Sequence, residues 1–340
     1  MTVSRQSLNR PRRTPSLGVV ATLLVALTGG LLAVPAGATM APKHAAATPA
    51  VPHRTFRAMS PLAKPANISP LVVPGLPGEG VWHPAGRLVN HAPAVYTTTV
   101  RLPDAPTVTA GIAWMDTAVL HARLYSGSLS PGGFYWHLTA PIAGAATRTL
   151  VAAFNGGFLL KDSAGGYLSE GHLVAPLRVG GASLVIYRDG LATVGQWGRD
   201  VSRTSAVVAV RQNLTLLVDH GRPVAGLSAS DVRRWGTSLY FKPTTWRSGL
   251  GVTASGALVY VAGPMTVPDL ALVLVRAGAQ RAMTLDMNPL WPVFATYTPP
   301  LPHAPARPSN GVDLLPTMIQ TPARFFQPTY ARDFITMSIS

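Results

Sequence analysis

The 340-residue chain contains no cysteine and only two glutamates, Glu79 and Glu170. Without cysteine it has no disulfide bond, no thiolate metal site and no cysteine nucleophile. Charged residues make up only 12% of the chain and hydrophobic residues make up 47%, which excludes a wholly disordered chain and a coiled coil. The scarcity of glutamate leaves aspartates as the main candidates for general acid or metal-binding carboxylates.

Several catalytic motifs are also missing. The nine histidines include no closely spaced pair of the kind that binds zinc. The chain has no P-loop, no dinucleotide-binding fingerprint and no Gly-x-Ser-x-Gly nucleophile motif. We therefore expect neither a cofactor nor a resident metal, and a divalent ion that bridges a carboxylate and a phosphate stays open.

The formal net charge is +15, and four of the arginines lie within the first 13 residues. The other arginines are scattered, whereas a nucleic-acid binder clusters its cations among aromatic residues. The sequence therefore predicts no nucleic-acid partner. A diffuse positive charge fits attraction to an anionic envelope or to a phosphorylated glycan, and it equally fits an ordinary solvated surface.

Residues 1–38 have the pattern of an export signal. A basic start precedes the uncharged residues 17–34, and Ala36 and Ala38 fit the small-residue rule for signal cleavage. The same run is just long enough to span a bilayer, so that a cleaved signal peptide and a retained membrane anchor both remain open. Either alternative predicts a protein that is secreted or held on the outer face of the cytoplasmic membrane. The oligomeric state cannot be deduced from the sequence.

The rest of the chain divides into a linker and one domain. Residues 39–93 are rich in proline and alanine and predict an extended linker, since proline disrupts both helices and central strands. From residue 94 to residue 340, short strand patterns separated by turn signals predict a single α+β domain. We expect a mixed, largely antiparallel sheet with a few helices.

Hairpin signals support the antiparallel sheet. The pair 183–187 and 191–196 surrounds an Asp-Gly turn. We predict two further hairpins, between 205–211 and 214–219 around Gln212 and Asn213, and between 250–253 and 257–262. The last strand is expected at residues 333–339.

One helix has clear signals at both ends. Thr266 and Asp269 form a capping-box pattern, Pro268 lies in the first turn, and Gly278 ends the helix. Residues 281–285 then predict a buried strand that ends at Asp286.

Three motifs together resemble a known family. Residues 152–158 (AAFNGGF) resemble the N-G-G-[FY]-F block of the phosphodiester glycosidase family, and residues 246–252 (WRSGLGV) resemble its R-[TS]-[AG]-[LIV]-G block. The segment from Thr266 through Gly278 to Leu285-Asp286 follows its later motifs in order and spacing. The resemblance covers about residues 94–340 and implies a divergent member that hydrolyses glycosyl phosphodiester bonds of a phosphorylated glycan.

The chain departs from the family after Asp286. The family continues with a glycine-rich run, whose bare backbone approaches a phosphate closely. Here Met287, Asn288, Pro289, Leu290 and Trp291 follow, and Pro289 has no amide N–H to donate. Trp291 is expected to stack on a sugar ring instead.

The resemblance implies roles for three residues. Asp286 is expected to act as acid, base or nucleophile, with Arg247 as the phosphate clamp and Asn155 as a ligand of phosphate or sugar. Each residue type also has a purely structural use: a turn or cap for the aspartate and asparagine, and a surface ion pair for the arginine.

Three further residues are weaker candidates. Glu170 is expected to be the second catalytic carboxylate, with His172 as its proton partner or as a substrate contact. Asn288 is expected to orient a sugar hydroxyl. A solvated loop would explain Glu170 as well, and a turn would explain Asn288.

The sequence therefore predicts an exported hydrolase of sugar-1-phosphodiester bonds in an envelope or extracellular glycan. A non-catalytic glycan- or anion-binding protein on the same fold is the alternative, because the glycine-rich run is lost. A structural envelope component held by the N-terminal segment is the third.

Overall fold

The computed structural model describes residues 60–133, 136–228, 231–236 and 242–339. The predicted signal or anchor at residues 1–38 and the linker residues 39–59 lie outside the described residues. Within those ranges, no helix combines the length and the hydrophobicity needed to cross a membrane.

The largest element of the fold is an eight-stranded sheet, called here the first sheet. In spatial order it consists of β1 (His83–Val89), β2 (Ala92–Leu102), β3 (Ala105–Met115), β14 (Leu258–Met265), β13 (Thr245–Thr253), β15 (Ala279–Asp286), β11 (Leu216–Asp219) and β12 (Arg222–Pro223).

Two five-stranded sheets complete the β-structure. The second sheet has the order β7 (His172–Ala175), β6 (Tyr167–Ser169), β10 (Val207–Gln212), β8 (Ala182–Tyr187) and β9 (Ala192–Gln196). The third has the order β17 (Gly311–Asp313), β16 (Phe294–Tyr297), β5 (Leu150–Asn155), β18 (Phe334–Ile339) and β4 (Leu120–Tyr125).

All ladders between these described strands are antiparallel. The α-helices in the described ranges are α1 (Ala146–Thr149), α2 (Val232–Trp235) and α3 (Val267–Arg276), and 3₁₀ turns lie at Pro308–Asn310 and Pro322–Phe326. The fold is thus mostly antiparallel sheet with few helices, which is compatible with the predicted α+β class.

The main hydrophobic core lies where the three sheets meet. Met115 and Tyr260 of the first sheet, Leu184 of the second and Phe154 and Ile335 of the third are all buried in one cluster. Each large apolar side chain buried in this way contributes about 1.5–3 kcal/mol. The core therefore fixes the ends of the central strands, where the polar residues described below lie.

The predicted helix is confirmed as α3. The Thr266 side chain accepts a hydrogen bond from the Asp269 N–H, and the Asp269 side chain accepts one from the Thr266 N–H. Gly278 follows the helix with φ of +91°, a conformation that glycine adopts without strain. The buried face of α3 covers the first sheet in a second hydrophobic cluster, which includes Leu270 and Leu274.

Two predicted hairpins are confirmed and one is wrong. β8 pairs with β9, and β13 pairs with β14. β10 and β11 lie in different sheets, because Gln212 and Asn213 are buried and bind neighbouring backbone rather than forming a solvent-exposed turn. The chain crosses from the second sheet to the first at this point.

The structure corrects the predicted end of the linker at residue 93. Trp82 is buried, and the following strand β1 pairs with β2. The Glu79 carboxylate, expected in the linker, accepts hydrogen bonds from the backbone and side chain of Arg101. The folded body therefore includes residues well before residue 94.

Candidate active site

Asn155 ends strand β5 and is fully buried. Its Nδ2 donates to Ser248 Oγ (3.1 Å), and its Oδ1 accepts hydrogen bonds from Tyr260 OH (2.8 Å) and from the Val293 N–H (3.2 Å). The amide thus joins the third sheet to the first. In this structure Asn155 positions the strand ends, and its side chain is engaged by protein partners on both its oxygen and its nitrogen.

The position of Asp286 depends on a β-bulge in β15. Ser248 pairs with Asp286 whereas Gly249 pairs with Thr284, so that Leu285 is an extra residue in the ladder. A Cβ at Gly249 would point toward α3, so its ladder partner Thr284 lies on the α3 face of the sheet. In a strand without a bulge, side chains two residues apart share a face, and Asp286 would also project toward α3. The bulge places its side chain on the face of Ser248 instead.

Asn213 holds the bulge in place. Its Nδ2 donates to the carbonyl oxygens of Thr284 (2.7 Å) and Leu285 (2.9 Å). A bulge leaves backbone groups without ladder partners, and buried carbonyls must be satisfied. The buried Asn213 therefore stabilises the backbone from which the carboxylate projects.

The Asp286 carboxylate is 1% exposed. Its Oδ1 accepts a hydrogen bond from the Asn288 N–H (2.8 Å), while Oδ2 has no hydrogen-bond partner among the described residues. Burial raises the pKa of Asp286 to about 6, although the nearby Arg332 acts in the opposite direction. A buried carboxylate with a raised pKa and an oxygen that accepts no hydrogen bond is a candidate for an active-site residue.

Arg332 supplies the positive charge at this site. Its Nη2 lies 3.7 Å from Asp286 Oδ2, and its Nη1 lies 3.5 Å from the carbonyl oxygen of Gly157. The guanidinium stacks on the half-buried Trp291 ring, 4.5 Å from the ring centroid. The carboxylate and the guanidinium thus form a buried ion pair without a direct hydrogen bond between them.

A second buried ion pair supports the Asn-Gly-Gly motif. Arg211 Nε donates to Asp333 Oδ2 (2.8 Å), and both side chains are inaccessible to solvent. The Arg211 guanidinium also donates to the Phe158 carbonyl oxygen. A Cβ at Gly156 would overlap the Asp333 carboxylate, and one at Gly157 would lie 3.0 Å from Arg211 Nη2. The two glycines are therefore needed for this close approach.

The structure does not bring Arg247 to Asp286. Arg247 precedes Ser248 on β13 and points to the opposite face of the first sheet, where its Nε donates to the Met265 carbonyl oxygen (2.9 Å). Burial lowers the pKa of Arg247 to about 10, and attraction to Asp269 of α3 partly opposes that effect. Arg247 thus binds protein groups under α3, with its Nη1 3.7 Å from Met287 Sδ, and the guanidinium that lies near the Asp286 carboxylate is that of Arg332.

Glu170 and His172 also lie apart from the contacts of Asp286. The Glu170 carboxylate accepts hydrogen bonds from the His137 N–H (2.9 Å) and the Leu138 N–H (2.7 Å). Burial raises the pKa of Glu170, and these hydrogen bonds outweigh that effect and lower it. His172 is exposed, with its ring edge against Trp136. Glu170 therefore holds a loop and is not paired with the catalytic candidate.

Asn288 and Trp291 belong to one tight turn after Asp286. The Asn288 N–H binds the carboxylate, its side-chain oxygen accepts from the Leu290 N–H (3.1 Å), and the Trp291 N–H donates to its carbonyl oxygen (2.9 Å). The backbone of Asn288, rather than its amide side chain, thus contacts Asp286.

Sequence reasoning missed several residues of the site. They are Arg211, Asn213, Ser248, Tyr260, Arg332 and Asp333. An Arg-Asp pair directly before the last strand was the only local signal, and the same dipeptide occurs at Arg199–Asp200, where it forms an exposed ion pair. In the described ranges, no three histidine, aspartate or glutamate side chains cluster closely enough to hold a metal ion.

Comparison with known families confirms the predicted resemblance. The profile of the phosphodiester glycosidase family matches residues 148–286. The match starts just before β5 and ends at Asp286, so that it contains Asn155, both glycines of the motif and the candidate carboxylate. Arg332 lies beyond it. The chain thus resembles this family over those residues, and no curated protein matches it.

Two solved structures are distant neighbours. One is the catalytic domain of zebrafish N-acetylglucosamine-1-phosphodiester alpha-N-acetylglucosaminidase, auto-inhibited by its pro-peptide, with 17% identity over 76% of this chain and 87% of that chain and a TM-score of 0.44. The other is a hypothetical protein from Synechocystis, with 10% identity over 76% of this chain and 64% of that chain and a TM-score of 0.40.

Proposed function

We propose that the protein is an exported hydrolase of sugar-1-phosphodiester bonds in an envelope or extracellular glycan. The observation that carries the proposal is the buried Asp286 carboxylate, whose Oδ2 accepts no hydrogen bond from the described residues and lies 3.7 Å from the Arg332 guanidinium. The family match over residues 148–286 supports the reaction class. The predicted export signal in residues 1–38 supports the location.

The two charged groups suit the two ends of the bond to be broken. With a pKa of about 6, Asp286 is mostly ionised at neutral pH and acts at the anomeric carbon, as a nucleophile or as a base toward water. The bond between the anomeric carbon and the phosphate oxygen breaks, and its electron pair leaves with the phosphate. Arg332 stabilises that negative charge with a bidentate contact.

A single carboxylate is sufficient for this reaction. A phosphate leaving group is a weak base, so that it needs less protonation than the alkoxide of an ordinary glycoside. In support of this, Glu170 is engaged by the loop at residues 137–138, and among the described residues no second carboxylate contacts Asp286. Trp291, which stacks on Arg332, presents a half-buried aromatic ring that suits contact with the sugar.

Turnover of a small diester tests the proposal. We expect the wild-type chain to hydrolyse the methyl diester of a hexose-1-phosphate, and Asp286→Asn to lose at least about a hundredfold in kcat while still binding the diester. Asp313→Asn is the matched control, because burial also raises the pKa of Asp313 to about 6 on the separate strand β17. It should keep full turnover.

Two outcomes would contradict this assignment. Equal activity in Asp286→Asn and wild type would remove Asp286 from the reaction. Saturable binding of the diester without turnover by any variant would favour the glycan-binding alternative, which the loss of the glycine-rich run also suggests. Export is tested separately by N-terminal sequencing of the protein recovered outside the cytoplasm, where cleavage after Ala38 is expected.

A further inference from the structure

A groove of about 500 Å³ lies between the third sheet and the second sheet. One wall is β4, an edge strand that pairs with β18 alone, and β6, β8 and β10 supply the opposite wall. Leu124, Ile186 and Ala209 are buried and form an apolar floor. Binding sites for small ligands typically have volumes of about 300–1,000 Å³, so the groove is large enough for a short saccharide.

Three exposed arginines line this groove: Arg123 on β4, Arg188 after β8 and Arg203 before β10. None of them forms an ion pair with any residue in the described ranges. Arg188 donates one hydrogen bond, to the Ser205 carbonyl oxygen (3.0 Å). The guanidinium groups therefore remain available to phosphate, which arginine binds in a bidentate manner.

The carboxylates near the groove do not cancel this charge. Among the described residues that line it, Glu170 is the one acidic residue, and its oxygens already accept hydrogen bonds from residues 137–138. Asp189 interacts with His121 and Tyr187 at one end. Three arginines thus face the engaged carboxylate of Glu170 and the carboxylate of Asp189 at one end, so that the groove retains a net positive charge and attracts anions.

The groove also suits a saccharide rather than a bare anion. The half-buried Tyr187 ring lies on its wall, and aromatic rings stack on the apolar faces of sugars. The groove is distinct from the candidate active site, because none of the residues that contact Asp286 lines it. A ligand held there would extend beyond the bond that is cleaved.

We propose that this groove binds a phosphate-bearing saccharide chain and holds a polymeric substrate at a point remote from Asp286. The positive charge and the apolar floor are observed in the structure, while the choice of a glycosyl phosphodiester polymer rests on the proposed function.

Direct binding tests the groove without relying on turnover. The full chain with Asp286→Asn is titrated calorimetrically with a short oligomer of hexose-1-phosphate repeats, with and without Arg123→Ser and Arg203→Ser together. We expect the double variant to bind about ten- to one-hundredfold more weakly and to depend less on salt. The matched control is Arg222→Ser with Arg276→Ser, which removes two exposed arginines elsewhere and should retain the affinity.

Three results would overturn the inference. Equal losses in both double variants would indicate attraction to the net charge of the protein alone, and no loss would remove the groove from binding. Equal affinity for a single-stranded oligonucleotide of the same charge would replace the saccharide with an unspecific polyanion. If the wild-type chain hydrolyses the methyl diester but the groove variants bind the polymer normally, the inference about the groove fails and the proposed function stands. If the groove variants bind the polymer more weakly but the wild-type chain does not hydrolyse the methyl diester, the inference about the groove stands and the proposed function fails.

Discussion

Replacement of Asp286 by asparagine should stabilise the folded protein at neutral pH. The pKa of this carboxyl is raised from 3.8 to about 6 because burial disfavours its charged form. Two pKa units correspond to about 3 kcal/mol at roughly 1.4 kcal/mol per unit. Asparagine resembles the protonated carboxyl and retains an oxygen for the Asn288 N–H. The variant should therefore gain up to about 3 kcal/mol in the free energy of unfolding at about pH 8.

The gain must disappear in acid. Below pH 3.8 the carboxyl is protonated in both folded and unfolded chains, so its burial has no charge penalty. As the pH rises from 3.8 to about 6, the unfolded chain releases the proton first and the wild-type protein loses stability. Above that range the penalty is constant. Urea denaturation of both proteins at about pH 4 and about pH 8 measures the difference.

Asp333 provides an internal contrast to Asp286. It is also fully buried, but it is paired with Arg211. Asp333→Asn should destabilise the protein at neutral pH by about 3–5 kcal/mol, because it leaves a buried guanidinium without its partner. If Asp286→Asn lowers stability at neutral pH, or changes it equally at both pH values, the idea of an electrostatically strained carboxylate is refuted.

Three further predictions concern the surroundings of the carboxylate. Arg332→Lys should reduce kcat/KM for the methyl diester about ten- to one-hundredfold, since lysine lacks the bidentate geometry; an unchanged value would remove Arg332 from phosphate binding. Arg247→Met should change the unfolding free energy and leave KM within about twofold, because its guanidinium lies under α3; a large rise in KM would restore its predicted role. Asn213→Ala should lower the unfolding free energy by about 1–3 kcal/mol and should also reduce kcat. The conservative variant Asn213→Gln should restore part of that kcat.

The parts of the fold that the sequence predicted are those with local signals. Helix α3 has its cap, its proline and its terminal glycine within 13 residues. β1 was hidden because Pro84 lies in it and the surrounding segment is rich in proline, yet β1 is an edge strand, where proline is tolerated. Gln212 and Asn213 resemble turn residues, and only their buried backbone partners reveal a crossing between sheets.

The site was predictable only in part for the same physical reason. Asn155 and Asp286 stand at the ends of apolar strands, and such positions bring polar groups together at a sheet edge. Arg332 comes from a remote part of the chain and meets Asp286 only through tertiary packing. The family resemblance predicted Arg247 beside the carboxylate, although strand alternation directs its side chain to the opposite face of the sheet.

The extra residue in β15 has a consequence for comparing relatives of this protein. If the ladder ran regularly with Leu285 retained, every charged group of the site would still be present, but Leu285 would pair with Ser248 and the aspartate with Arg247. The aspartate would then project under the helix and away from Arg332. Two chains that share the same Leu-Asp letters can therefore differ in the face on which the aspartate projects, according to whether this bulge is present. Whether a homologue is active should be judged by strand register as well as by the presence of the acidic residue.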